Sequence, residues 1–404
     1  MSRTPSISYY VAMPGGELPL NDEVARTLLP MERSGRERPA EASVTFGGYF
    51  QSLGKMLSDN HFALPLAGVR HQLGEDAQAD QVREWRVVAE KHGAFYHPAR
   101  VEAVTDRGTA LIAANVALSD SGIAAASREF EVLDSLGRGF SRSFTPAAYG
   151  KGRAPCLLSQ GGVVEAEAFF CQWYEGYCEF HLSCNPASQA QEIVVWDNAH
   201  GHFFMKPCQA AALYEKAAAI LAYYYDPGDF RQIFPWHHAA GDFVVKALQD
   251  DLDVRLITVR QYQGMLEAEG DTDPETRLEA ALYFLVNLTM HMRLDRIDGV
   301  GDLAWADGAS VYPTLRGAFQ GFALRGLDAG QDPEFAAALL GICREMPREY
   351  WEELCFQLVA ASSPQSPDRP FLLTRGGEHA QALVEAFFKS RKDPFFVDKG
   401  AVLL

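Results

Sequence analysis

The densest polar chemistry in this 404-residue chain is His200-Gly201-His202, followed by His237-His238 and Asp242. Alternate side chains of an extended segment share a side, so His200 and His202 point together. Imidazoles with a carboxylate suit zinc or iron, and a cluster of His200, His202, His237 and Asp242 would make the protein a metal-dependent hydrolase or oxygenase. Against that, neighbours on a strand face opposite ways, so His237 and His238 do not both reach one ion. Histidines satisfied by hydrogen bonds at a lobe boundary give the same pattern. The sequence favours that plainer reading, and no metal ligands are assigned.

A second cluster joins aromatic and acidic side chains: Trp173, Tyr174, Glu175, Tyr177 and Glu179. It suits the rim of a pocket for a planar or cationic ligand, or core and rim with no ligand at all. The run Asp250-Asp251-Asp253 reads as a solvated turn. Arg255 and Arg260, five apart, fall on alternate faces and read as surface residues or as positive charge for a site. No Gly-x-Ser-x-Gly elbow and no cysteine–histidine nucleophile motif occurs.

The elements that must position these groups follow from periodicity. Residues 1–45, rich in Pro, Arg, Glu and Ser towards their end, read as an extended arm. Val82, Trp85, Val88 and Ala89 fall on one face at helical spacing. Ala99–Val104 and Thr109–Leu118 read as strands joined by a turn at Asp106-Arg107-Gly108. A helix follows over Gly122–Leu136 with Gly137 as its stop, then a short strand at Phe169–Tyr174. A longer helix, Gln209–Tyr225, is closed by Pro227, and strands Phe243–Lys246 and Val254–Val259 come next. Beyond them the chain reads as helical, with starts at Asp273-Pro274-Glu275 and Asp332-Pro333-Glu334, where an aspartate cap precedes a proline at the first helical position. Pro274–Met292 is apolar nearly all round, which marks a buried central helix. Pro364, Pro367 and Pro370 mark a linker before a last helix, Glu378–Ser390.

Composition narrows the class. With 48% hydrophobic and 22% charged residues the chain has enough apolar content for two or three lobes. Seven cysteines, an odd number without two-residue gaps, read as reduced thiols. Met1–Met13 lacks the basic start and apolar run of a secretory signal, and the apolar stretch at Ala217–Tyr225 is too short to span a bilayer. The expectation is a soluble cytoplasmic protein without a membrane partner. A net charge of −17 repels phosphate backbones, so nucleic acid is excluded as a partner.

The order of elements resembles the protein-kinase-like fold in its aminoglycoside phosphotransferase branch. Arg128-Glu129-Phe130-Glu131-Val132-Leu133 resembles that branch's "REaevL" helix, and Thr145-Pro146-Ala147-Ala148-Tyr149-Gly150 the strand that follows it. Phe169-Phe170-Cys171-Gln172-Trp173-Tyr174-Glu175-Gly176-Tyr177 resembles the strand and hinge that hold the adenine. The likeness covers roughly Thr109–Tyr262. It implies a two-lobed α+β fold: a mixed or antiparallel sheet lobe over 46–177, a hinge near 173–177, and a mainly helical lobe over 178–404. It also implies nucleotide contacts from Glu129, Trp173, Glu175 and Tyr177.

The same resemblance places His237 where the family has its catalytic aspartate, in a loop that reads HGDxxxxN, and Asp242 where it has a metal-binding asparagine. Thr258 would stand at the second metal-binding aspartate. No lysine lies on Thr109–Leu118 to partner Glu129, and no glycine-rich phosphate loop is visible. Phosphoryl transfer depends on positioning and on neutralising phosphate charge, so these losses remove most of what holds ATP and magnesium. The sequence therefore predicts a degenerate, pseudokinase-like protein that binds a small ligand or regulates, with neither ATP nor magnesium bound tightly. The alternatives are a phosphotransferase with relocated catalytic groups and the metal-dependent enzyme described first.

Overall fold

The computed structural model describes residues 5–30, 43–90, 95–198, 200–238, 241–249, 251–264, 273–329 and 334–397. The chain is α+β and divides into two compact units, Met1–Glu175 and Gly176–Leu404.

The first unit is built on a mixed seven-stranded sheet. Its elements are β1 (Ser6–Met13), β2 (Gly16–Pro19), α1 (Asp22–Arg26), α2 (Phe46–Ser58), α3 (Ala63–Leu73), β3 (Val82–Ala89), β4 (His97–Thr105), β5 (Gly108–Ala117), α4 (Asp120–Gly139), β6 (Ala148–Leu157) and β7 (Val163–Gln172). The strand order is β2-β1-β3-β4-β5-β7-β6. Every adjacent pair is antiparallel except β1 with β3. Trp85, Val101, Ile112 and Phe170 project from one face of the sheet into a core shared with Tyr49, Leu53 and Val69 of α2 and α3. Glu167 lies between two residues of that face, Ala166 and Ala168, and therefore points the other way. It accepts from Ser127 Oγ of α4 at 2.5 Å, so α4 covers the opposite face.

Two expectations fail in this unit. Residues 6–26 are not part of an arm: β1 extends the sheet by pairing Ile7 with Trp85 and Tyr9 with Val87, while 31–42 lie outside the described residues. Val82–Ala89 is a strand and not a helix, because Val82, Trp85, Val87 and Ala89 all enter the core and the apolar spacing fits both periods. The β4–β5 hairpin and its turn follow the sequence closely. Helix α4 starts earlier than expected, capped by Ser119 Oγ on Gly122 N, and it runs past Gly137 to Gly139.

The second unit opens with β8 (Phe180–Cys184), β9 (Gln191–Val195) and β10 (Phe203–Phe204), which form a small antiparallel sheet. Then come α5 (Pro207–Tyr223), β11 (Arg231–Ile233), β12 (Phe243–Leu248), β13 (Asp251–Leu256), β14 (Tyr262–Gly264), α6 (Pro274–His291), β15 (Leu294–Arg296) and β16 (Leu303–Trp305). The remaining helices are α7 (Val311–Ala329), α8 (Glu334–Glu345), α9 (Arg348–Ala361), α10 (Arg369–Leu373), α11 (Gly376–Ser390) and α12 (Pro394–Val397). Helix α6 is the buried centre that its sequence announces, with Asp273 capping Glu275 N and Thr276 N. The expected cap at Asp332-Pro333 lies outside the described residues. The β15–β16 hairpin interrupts a region expected to be almost entirely helical, and Asp251 and Asp253 belong to β13 rather than to a turn. Helices α5 and α7 pack along much of their lengths. Among the described residues no helix is long and apolar enough to cross a membrane.

Candidate functional site

The segment between β11 and β12 contains Trp236, His237, His238 and Asp242. Two pairings hold its ends against a second segment, 257–261. Strand β11 pairs with β14, Ile233 opposite Tyr262, and β12 pairs with β13, Phe243 opposite Leu256. The backbones also meet directly: Phe234 N–H donates to Gln261 O at 3.4 Å, and Ile257 N–H donates to Asp242 O at 2.8 Å.

Asp242 is the centre of this arrangement. It is almost wholly buried, at 1% exposure. Oδ2 accepts from Arg260 Nη1 at 2.5 Å and from His237 N at 2.8 Å, while Oδ1 accepts from Arg260 Nη2 at 2.7 Å. Such a fork-to-fork pair fixes both planes and uses charge-assisted hydrogen bonds. Arg260 Nη1 also approaches Pro235 O at 3.4 Å, so one guanidinium ties the loop at two points.

The two adjacent histidines differ in exposure: His237 is exposed and His238 is buried. The His238 ring packs near Phe180 and Tyr214, and burial lowers its pKa despite the pull of Asp295. Asp295 Oδ2 accepts from Leu182 N at 2.7 Å, with His181 Nδ1 at 3.7 Å from Oδ1. Burial pushes the Asp295 carboxyl upward, but His181, His238 and the Leu182 N–H outweigh it and hold the pKa below the ordinary value. Trp236 is buried edge-on to Phe243 and His291.

The other predicted residues have separate surroundings. In the first unit, Glu129 is buried on α4 and accepts from Tyr96 Oη at 2.8 Å. The neighbouring Cys171 thiol is pushed up in pKa by its burial and by Glu129. Strand β5 carries no lysine, and Lys151 of β6 reaches α4 at Ser127 Oγ and Glu131 Oε1. Trp173 N donates to Leu111 O, and the Arg100 guanidinium lies 6.0 Å from the Trp173 ring. Glu175 is exposed at the end of this unit. In the second unit Tyr177 Oη donates to Asp253 Oδ2 at 2.6 Å, and Lys246 Nζ lies 5.8 Å from its ring. Burial, followed by Asp253, raises the Tyr177 pKa.

The metal cluster of His200, His202, His237 and Asp242 does not assemble. His200 is exposed and bonded to Asp197, Nδ1 to Oδ2 at 2.9 Å, and His202 is exposed beside Trp196. Among the described residues no three His, Cys, Asp or Glu side chains are placed to hold a metal ion.

Spacing leaves Arg260 between a surface residue and positive charge for a site, and gives no reason to single out His181 or Asp295. Arg260 has one legible signal, its position five residues after Arg255 and at the end of an apolar strand. Asp295, in Leu294-Asp295-Arg296, has none. No protein-family model matches this chain, and no curated protein is similar enough to count as a match.

Proposed function

We propose that the protein is a degenerate relative of the aminoglycoside phosphotransferase branch of the protein-kinase-like fold, a binding or regulatory protein that does not carry out ordinary phosphoryl transfer. The element order from β3 onward supports the reading: three antiparallel strands, a helix carrying buried Glu129, two more strands, then a largely helical unit. So does the side-by-side placement of segments 234–242 and 257–261, where the resemblance puts the catalytic loop and the metal-binding strand.

The observation that carries the functional part is the Asp242–Arg260 pair. A metal ion bridging phosphates requires carboxylate or amide oxygens that are open to it. Both Asp242 oxygens are engaged by one guanidinium and a backbone N–H. To ligate a metal, Asp242 has to give up its bidentate pair with Arg260 and the hydrogen bond from His237 N–H. Thr258 offers no replacement carboxylate. His237, exposed beside this pair, is the side chain with which the loop meets an anionic or hydrogen-bonding ligand.

The same pair also favours one specific alternative, a phosphotransferase with relocated groups in which Arg260 supplies the missing positive charge. ATP turnover by protein freed of contaminating kinases separates the two. The expected result is background turnover that is unchanged in Asp242→Ala and Arg260→Ala. Turnover well above background and lost in either variant would establish the alternative.

A further inference from the structure

Among the described residues strand β16 has one partner strand. It pairs with β15 in a two-stranded sheet, Asp295 opposite Ala304. The bonds on either side fix which way the main-chain groups point. Ile297 N–H donates to Asp302 O at 3.0 Å and Ala306 N–H to Arg293 O at 2.8 Å, while Arg293 Nε–H returns to Ala306 O at 2.8 Å. Residues 302, 304 and 306 therefore face β15. In an antiparallel pair the intervening residues turn their N–H and C=O to the other side, so Leu303 and Trp305 present main-chain donors and acceptors along the outer edge of β16.

That edge borders a cavity of about 390 Å³, whose lining contains every residue from 303 to 307. A strand met face-on contributes alternate residues, because successive side chains point to opposite faces. The unbroken run places the cavity along the edge, and both Leu303 and Trp305 are partly exposed there. The lining also contains Ile297, Phe371, Arg375 and Glu378. Glu378 is engaged by two guanidiniums, Oε1 accepting from Arg293 Nη2 at 2.6 Å and Oε2 from Arg375 Nη1 at 3.3 Å. Asp307, at the end of the strand, is exposed and accepts from Ala309 N at 2.8 Å.

We propose that the outer edge of β16 docks a short, extended, basic peptide segment, which adds a strand to the β15–β16 sheet. Main-chain hydrogen bonds to Leu303 and Trp305 hold it, as in other cases of strand addition. An apolar side chain rests on Ile297 and Phe371, and a lysine or arginine meets Asp307. The net charge of −17 draws the same class of peptide to the surface. This site shares no residue with loop 234–242 and does not depend on the kinase-like reading.

Fluorescence anisotropy of a labelled pentapeptide, Lys-Val-Lys-Val-Lys with both ends blocked, titrated with the full chain, tests this. Saturable binding at one site is expected, and Glu-Val-Glu-Val-Glu should bind about tenfold or more weakly. Two N-methylated forms separate strand addition from plain charge attraction. The valine nitrogens lie on one edge of the extended peptide and the central lysine nitrogen on the other. Methylation should cost about tenfold or more on the pairing edge and less than about twofold on the other. Asp307→Asn keeps an acceptor for Ala309 N–H and should weaken binding about two- to fivefold, as for an exposed ion pair. Leu303→Pro removes an outward N–H while sparing the bonds to β15, and should weaken binding about tenfold or more; the methylated peptides decide the matter if that variant does not fold. The proposal is overturned by absence of saturable binding, by equal binding of the acidic peptide, by methylated forms that behave alike, or by full affinity in Asp307→Asn or in folded Leu303→Pro. A peptide-free chain that sediments as a dimer, and as a monomer after Leu303→Pro, would give the edge to a second copy and overturn it as well.

Discussion

Arg260 grips Asp242 with both terminal nitrogens, at 2.5 and 2.7 Å, across an 18-residue separation that spans the β12–β13 hairpin. The pair closes the loop carrying His237 by joining its end to the segment after β13. It is unequal in exposure, with the arginine side chain at 30% and the aspartate side chain at 2%.

That asymmetry sets the cost of breaking it. Arg260→Ala leaves a buried carboxylate held mainly by His237 N–H, and should destabilise the protein by about 2 kcal/mol, less than the roughly 3–5 kcal/mol of fully buried pairs because water reaches the arginine side. Adding Asp242→Asn should recover part of the loss, since the stranded charge is then gone. Denaturant unfolding of both single variants and the double variant reads the coupling directly.

Helix α5, which leads into the β11 strand and its loop, is pressed against α7 at two glycines one turn apart. A Cβ on Gly317 would sit 1.8 Å from Glu215 O, and one on Gly321 would sit 2.4 Å from Ala219 O. Backbone cannot move aside as a side chain can, so Gly317→Ala should cost about 3 kcal/mol or more. Gly326, on the same helix with open space around its Cβ position, is the control: Gly326→Ala should be neutral or slightly stabilising. A comparison of thermal midpoints decides the matter.

Two buried histidines, His238 and His379, and the half-buried His291 predict the acid limb of stability. His238 and His291 are lowered in pKa chiefly by burial, and His379 is lowered well below the ordinary value by burial, Arg293 and His291. Each binds a proton less readily folded than unfolded, where it titrates near pH 6.5, so stability is full above that pH and falls as the pH drops towards the folded-state pKa values. For His379 the slope should approach about 1.4 kcal/mol per pH unit between pH 6 and pH 5. His379→Gln retains a donor for Thr289 Oγ1, which lies 2.9 Å from His379 Nε2, and should flatten the slope by up to one proton. A slope unchanged in that variant contradicts the assignment.

How much of the fold and the loop is legible in the sequence depends on whether a residue's role is local. The Asp273 cap, the apolar α6 and the β4–β5 turn are set by neighbours in sequence, and each stands where the pattern places it. Val82–Ala89 misleads because Trp85 and Val88 fit a helical stripe as well as a strand with apolar residues on both faces. The Asp242–Arg260 pair is not legible, because register and hairpin geometry, not spacing, bring the two residues together. Asp295 is beyond reach for the same reason: its partner Leu182 lies 113 residues away along the chain.

Whether the loop is closed by an ion pair and does not grip a magnesium nucleotide is tested most directly by thermal unfolding with ATP, with and without magnesium. A ligand held at one hundred times its dissociation constant adds about 2.7 kcal/mol to the folded state, which a midpoint measurement resolves easily. Millimolar ATP with magnesium is expected to leave the midpoint where magnesium alone leaves it. A saturable, magnesium-dependent rise that disappears in Asp242→Ala would contradict the closed loop.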